Sequence, residues 1–226
     1  MLSSYLVQPR QGHLEAVFHI FAYLQKYKRS KVVFDDTCVN WGNKFQAVDW
    51  KDFYSEANEP IPPNVPEPHG KCVQLNCFVG ADHAGNQIIQ QSHTGVLLFV
   101  CHAPIIWYSK QQNTVKTSTF GSEFIAAKTA TEMIQALQYK LHMMGIPIDG
   151  PTNMFCDNKA MVRNSTMPES MLKKKHDAIY YQHVQETCAL GMIQIAKDDG
   201  ATNLADVLTK SLPGPRLRDL IGRILY

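Results

Sequence analysis

Val73-Gln74-Leu75-Asn76-Cys77-Phe78-Val79-Gly80-Ala81-Asp82-His83-Ala84-Gly85 decides the fold. Val73, Leu75, Cys77 and Val79 alternate with Gln74, Asn76, Phe78 and Gly80, the period of a strand, before a turn-prone Asp-His-Ala-Gly. A proline-rich break precedes the run. The pattern predicts a central strand that presents a carboxylate where the strand ends. Period two puts Gly80 and Asp82 on the same side, about 6.6 Å apart at the usual rise per strand residue.

On the N-terminal side, Pro60, Pro62, Pro63, Pro66 and Pro68 predict a stiff extended connector over 61–70, because proline fixes its own φ and restricts the residue before it. Before them, Gly12 to Tyr27 carries Leu14, Val17, Phe18, Phe21 and Leu24 at helical spacing, which predicts an amphipathic helix. Lys31 to Asp35 has the composition of a short strand. From Thr37 to Glu59 there are aromatics (Trp41, Phe45, Trp50, Phe53, Tyr54) without a period, so 1–60 reads as the end of a domain whose main body is absent.

On the C-terminal side, Thr94 to His102 and Ile105 to Ser109 add two strand signals close behind the first, the spacing of an antiparallel meander. Thr117 to Met144 predicts the longest helix. Its apolar stripe Ala127, Ala130, Ile134, Leu137, Leu141 steps by three and four, and extending it backwards by four lands on Glu123. Asn153 to Cys156 predicts a buried strand ending in Asp157-Asn158. Helices follow from Lys159 to the break at Pro168 and from Leu172 to Leu190, then a strand over Met192 to Ala196. A final capped helix holds Asp206 near its start, with a helical tail over 214–226. This order implies an α/β fold, with a mixed sheet of early antiparallel strands and later strands joined by helical crossovers.

The chain has 226 residues, 45% of them apolar, with a net charge of +2. No apolar run reaches the ~18 to 20 residues that would span a bilayer. The start lacks the basic flank and apolar core of a signal peptide. These features predict an intracellular protein, cytoplasmic or nuclear, with no membrane partner. Residues 71–226 hold 15 Lys and Arg against 12 Asp and Glu, a mildly basic balance that permits a nucleic-acid partner. Six scattered cysteines without a Cys-x-x-Cys pair predict reduced thiols.

Glu123, Asp157 and Asp206 are acids poorly explained by solvation. Carboxylates gathered in a core repel and are costly to bury unpaired, so a cluster implies cations. Hard oxygen donors suit Mg²⁺, and a pair of such ions clamps both oxygens of an in-line phosphodiester displacement. Taken singly, Glu123 and Asp206 could each complement a helix dipole and Asp157-Asn158 could be a plain turn. Lys173, Lys174 and Lys175 crowd a helix start, where cations oppose the dipole, which favours a nucleic-acid-binding role over a solvated face.

The ordered set Asp82-His83-Ala84-Gly85, Ser92-His93-Thr94-Gly95, Pro104 to Gln112, Ser122-Glu123-Phe124, Cys156-Asp157-Asn158 and Asn203 to Lys210 resembles the RNase H domain of copia-type retrotransposon polyproteins, over roughly 70–213. Residues 2–30, with Gly12-His13-Leu14 and Tyr23-Leu24, resemble the region that follows the reverse transcriptase palm in the same polyproteins. The resemblance implies an RNase H-like five-stranded mixed sheet flanked by helices over 71–213, and a reverse transcriptase remnant over 1–60. It also implies cleavage of the RNA strand of RNA:DNA hybrids with two Mg²⁺ ions, and contact of Asn158 and the lysines with nucleic acid. Partners would be the hybrid and the reverse transcriptase portion of the parent polyprotein.

Of the family's Asp, Glu, Asp, Asp set, the last three fall on Glu123, Asp157 and Asp206. The first belongs to an Asp-x-Asp-x-x-Gly pattern that here reads Gly80 to Gly85. Gly80 therefore stands at the first acid, and Asp82 fits the second acid of the pattern, a potential substitute. An arginine pair common before the Ser-His-Thr-Gly run is here Gln90-Gln91. These departures predict impaired cleavage. The alternatives are an inactive module that binds nucleic acid or protein, or a polyprotein fragment that needs its reverse transcriptase.

Overall fold

A computed structural model describes residues 8–54, 58–59, 61–85, 90–115, 118–170 and 175–226, without the side chains of 175–178. By packing, the chain divides into two units. One extends to Val33 and takes in Leu225 and Tyr226; the other is Phe34–Ile224.

In the first unit, α1 (Gln11–Lys26) is the expected helix, with the His13 ring accepting from the Arg10 amide at its start, 3.0 Å away. Its stripe of Leu14, Phe18, Phe21 and Leu24 is exposed. The strand expected over Lys31 to Asp35 does not form. Lys31 instead exchanges two backbone hydrogen bonds with the single residue Tyr226, and the Asp35 carboxylate accepts from the Thr37 amide, a local turn that ends the extended run.

The second unit is built on β1 (Leu75–Asp82), β2 (His93–Val100), β3 (Ala103–Gln111), α2 (Thr119–Met143), β4 (Thr152–Cys156), α3 (Lys159–Thr166), α4 (Lys175–Ala189), β5 (Ile193–Lys197), α5 (Asp206–Thr209) and α6 (Gly214–Ile221). The five strands form one sheet in the order β3-β2-β1-β4-β5. β1 to β3 are antiparallel, while β1, β4 and β5 run parallel. The quoted stretch is thus the middle strand of a mixed sheet, as its pattern predicts. From Leu75 to Ala81, β1 is buried on both faces, which is why its polar positions there are small or amide residues, and its one charge, Asp82, stands at the less buried end. β3 is an edge strand and so tolerates Pro104.

Alternation along β1 sorts the core. Cys77, Val79 and Ala81 pack with Ala127, Ala130 and Ile134 of α2 and Val184 of α4. On the opposite face, Phe78, Leu97, Phe99 and Phe155 meet Leu204, Ala205 and Leu220, with Trp41 and Phe45 packed on them. On that same face, amides cross three strands: Asn153 Nδ2 donates to Asn76 Oδ1 at 2.9 Å, and Gln194 Nε2 to Asn153 Oδ1 at 2.7 Å. Trp41 Nε1 donates to Asn76 Oδ1 at 2.8 Å, so Trp41 and Phe45 of the aperiodic segment help complete this face of the sheet. Among the described residues, no helix is long and apolar enough to cross a membrane. Cys77, Cys101, Cys156 and Cys188 are buried thiols.

Candidate active site

Gly80, Gly95 and Ser109 form one row across β1, β2 and β3. Small residues there let a short helix lie against the sheet. A Cβ on Gly95 would come within 2.6 Å of Thr209 Cγ2 and 2.9 Å of the Ala205 carbonyl oxygen, so α5 requires that glycine. Ser109 Oγ donates to the Leu208 carbonyl at 2.6 Å. Asn203, fully buried, fixes the approach to α5: its Nδ2 donates to the Val79 carbonyl at 3.0 Å and its Oδ1 accepts from the Ala205 amide at 2.9 Å. The β1 residue next to this latch is Gly80. A Cβ there would meet Asn203 Nδ2 and Ala205 Cβ at 3.7 Å, ordinary contact, so a Cβ fits on the side facing the start of α5.

Three acids surround this point from three elements. Glu123 lies on the first turns of α2, 6% exposed, in line with the buried stripe, and accepts a hydrogen bond from the Ala81 amide of β1. Asp157 follows the last residue of β4, beside Cys156. Asp206 is the first residue of α5 and 1% exposed. Donor atoms of Glu123, Cys156 and Asp157 lie within 4.8 Å of one another. Lys210 Nζ joins the third acid to this group, 2.6 Å from Asp206 Oδ1 and 3.9 Å from Asp157 Oδ2. Arg216 Nη2 takes the other oxygen of Asp206 at 2.6 Å.

The charges are tuned accordingly. Burial, then the nearby Asp157, pushes the Glu123 carboxyl up to about 8. Asp157 is raised by burial, with Lys210 opposing. Burial also drives the Cys156 thiol well above its ordinary value, with its Sγ 3.9 Å from Glu123 Oε2.

This donor set fits a divalent cation between Glu123 and Asp157, with oxygens of the hard type that Mg²⁺ takes. It does not fit the expected pair of ions. Gly80 supplies no side-chain oxygen, and both oxygens of Asp206 are engaged by the chain's own cations.

The remaining expected residues lie as follows. Asp82 shares the Gly80 face of β1, but its carboxylate folds back over its own turn: a Cβ on Gly85 would lie 1.7 Å from Asp82 Oδ2. Gly85 thus makes room for Asp82, whose pKa is raised by burial. Asn158 is the N-cap of α3, its side chain accepting from the Met161 amide at 3.0 Å. Lys173 and Lys174 lie outside the described residues, and Lys175 opens α4 with its side chain outside them.

Sequence reasoning passed over Lys210, Arg216, Asn203 and Gly95 as members of the site. Lys210 carried a usable signal, since it lies four residues after Asp206 on one helical turn. Arg216 carried none, because α6 brings it to Asp206 only in the folded chain. Exposed Lys159 and Arg163 of α3 were passed over too; they line a groove of about 640 Å³ with Asn164, Met167 and Ser170.

No family model matches the chain. Among curated proteins it is 26% identical over 155 residues to the retrovirus-related Pol polyprotein from transposon RE1 of Arabidopsis thaliana, covering 69% of this chain and 11% of the relative. To that from transposon TNT 1-94 of Nicotiana tabacum it is 29% identical over 152 residues, covering 66% and 11%. The chain thus spans about a tenth of the length of these relatives. Solved structures overlap it loosely. The N-terminal RNase H domain of a Mycobacterium tuberculosis protein gives a TM-score of 0.46 at 12% identity, over 66% of this chain and 97% of that one. LC11-RNase H1 in complex with an RNA/DNA hybrid gives 0.47 at 16%, over 60% and 94%. The chain is thus similar to retrovirus-related Pol polyproteins from plant transposons, and it carries the mixed five-stranded sheet flanked by helices that its motifs predict.

Proposed function

We propose that the domain binds RNA:DNA hybrids and that its cleavage of the RNA strand is impaired because Gly80 stands where the first catalytic carboxylate is expected. Glu123, Asp157 and Asp206 take the other three positions. The observation that carries this reading is the direction of the missing side chain: a Cβ on Gly80 would lie 3.7 Å from Asn203 Nδ2 and Ala205 Cβ, beside the approach to Asp206, without a clash. A divalent cation held by Glu123 and Asp157 would polarise a phosphate oxygen there. Around it, Asn203 holds the start of α5, and Lys159 and Arg163 offer charge to a phosphate backbone.

By ancestry we assign 1–60 to the reverse transcriptase C-terminal region, 61–70 to a connector, 71–213 to the RNase H-like domain and 214–226 to a tail. The reverse transcriptase of the parent polyprotein is then the neighbour this domain works beside.

A labelled RNA:DNA hybrid with the full chain and Mg²⁺ tests the proposal. Binding should weaken as salt rises, as phosphate contacts require, while the RNA strand stays intact over times in which an active RNase H degrades it. Rapid Mg²⁺-dependent cleavage by the unaltered chain would refute the impairment. Absence of any binding at low salt would refute the partner.

A further inference from the structure

Asp206 is almost fully buried, yet no external ion is needed to balance it. Lys210 Nζ sits 2.6 Å from one of its oxygens and Arg216 Nη2 2.6 Å from the other. Arg216 also donates to the Gly200 carbonyl, and its Nε is buried with no hydrogen-bond partner, so it meets the acid through its outer end. Lys210 does more, because its ammonium also lies 3.9 Å from Asp157 Oδ2, across the gap between α5 and the end of β4. A cation in contact with two carboxylates from different elements does what a bridging metal ion does: it cancels their repulsion and fixes their spacing.

From this geometry we infer that Lys210 is a tethered cation standing between Asp157 and Asp206 in place of a second metal ion. It positions both acids without metal and excludes a divalent ion from Asp206. The inference rests on reading the acid cluster as a metal site, but not on whether hybrid is cut. Its physical basis is competition. An ammonium at 2.6 Å and a divalent cation at the ~2.1 Å of a Mg²⁺–oxygen bond cannot hold the same carboxylate oxygen, since two positive charges would then nearly touch. The absence of an acid at Gly80 fits the same picture, as Asp157 and Asp206, paired with Lys210 and Arg216, leave little charge for two further divalent ions to neutralise. Lys210 is one-third exposed, so its ammonium can swing into solvent when displaced.

The test uses the full chain and Mn²⁺ as probe, with free Mn²⁺ followed by electron paramagnetic resonance and melting followed with and without chelator. The unaltered chain should bind Mn²⁺ weakly and melt only slightly higher when it is added, through the one ion that Glu123 and Asp157 can hold. Lys210→Met keeps the length and removes the charge. It should melt lower in chelator, bind Mn²⁺ about tenfold tighter or more, and recover its melting temperature as Mn²⁺ is added, as expected when a ligand binds only the folded state. Lys210→Arg should behave like the unaltered chain. If Lys210→Met does not fold, Lys210→Gln, which keeps a donor to Asp206, gives the same comparison. Either unchanged Mn²⁺ affinity in the uncharged variant or equal tightening in Lys210→Arg would overturn the inference. Cleavage enters none of these measurements, so failure of the Gly80 reading and failure of this one are separately visible.

Discussion

Glu123 is held protonated in neutral solution by its burial and by Asp157, up to about pH 8. The same side chain in the unfolded chain releases its proton near its ordinary value of 4.5. Between these values the folded state binds a proton that the unfolded state lacks. Its contribution to stability is therefore full below about 4.5 and is lost as pH rises through about 8. Asp157 and Asp82, raised by burial, tilt stability in the same direction at lower pH. The metal-free chain should accordingly melt progressively lower from about pH 5 to 8, and Glu123→Gln should flatten the upper part of that slope. A chain whose melting temperature is constant or rises over that range, followed by circular dichroism in chelator, would contradict the buried acid.

At the scale of elements, the seat of α5 is the part of the site with the least slack. Gly80 and Gly95 face each other in register, yet only Gly95 is required by contact. Gly95→Ala should destabilise the chain by about 2 kcal/mol, because Thr209 and the Ala205 carbonyl must give way. Gly80→Ala should be neutral or stabilise by up to ~1 kcal/mol, since a strand glycine is replaced without strain. Urea unfolding compares the two, and equal destabilisation would show that Gly80 is a packing glycine rather than a vacated position.

This difference also shows what was legible in the residues. Period two in β1 and the stripe of α2 announce a buried face directly, so the central strand and Glu123 could be placed from sequence. The row Gly80, Gly95, Ser109 depends on strand register, which no local pattern records. The strand expected at Lys31 to Asp35 fails for the same reason, as among the described residues no neighbouring strand lies there to complete it. Asp82 shares the Gly80 face as its period predicts and feels the charges of Lys210 and Asp206, while the local turn at Gly85 that its carboxylate folds over is not recorded by period.

For the molecule as a whole, the aperiodic segment before the prolines is the largest departure from what composition suggests. Trp41 lies 4.4 Å from Phe155 between ring centroids and Phe45 5.4 Å, and Trp41 also serves the amide row through Asn76. Aromatics without a period gave no warning of this, since they pack from a coil. Removing 1–33 should leave a cooperative melt close to that of the full chain. Removing 1–70 should lower the melting temperature by ~10 °C or more, as large buried rings are lost from a core of this size. Equal melting temperatures for the two truncations would show that 34–60 adds nothing to the sheet.

The central claim is that Gly80 withholds the first carboxylate of the expected site, and restoring it is the direct measurement. Cleavage of a labelled RNA:DNA hybrid in Mg²⁺ should rise in Gly80→Asp, and by several orders of magnitude when Lys210→Met is combined with it, because the added carboxylate supplies the missing oxygens and loss of the ammonium frees Asp206. Gly80→Asn, close in shape and uncharged, should recover little. Fast cleavage by the unaltered chain that disappears in Asp82→Asn would contradict the account and make Asp82 the working acid.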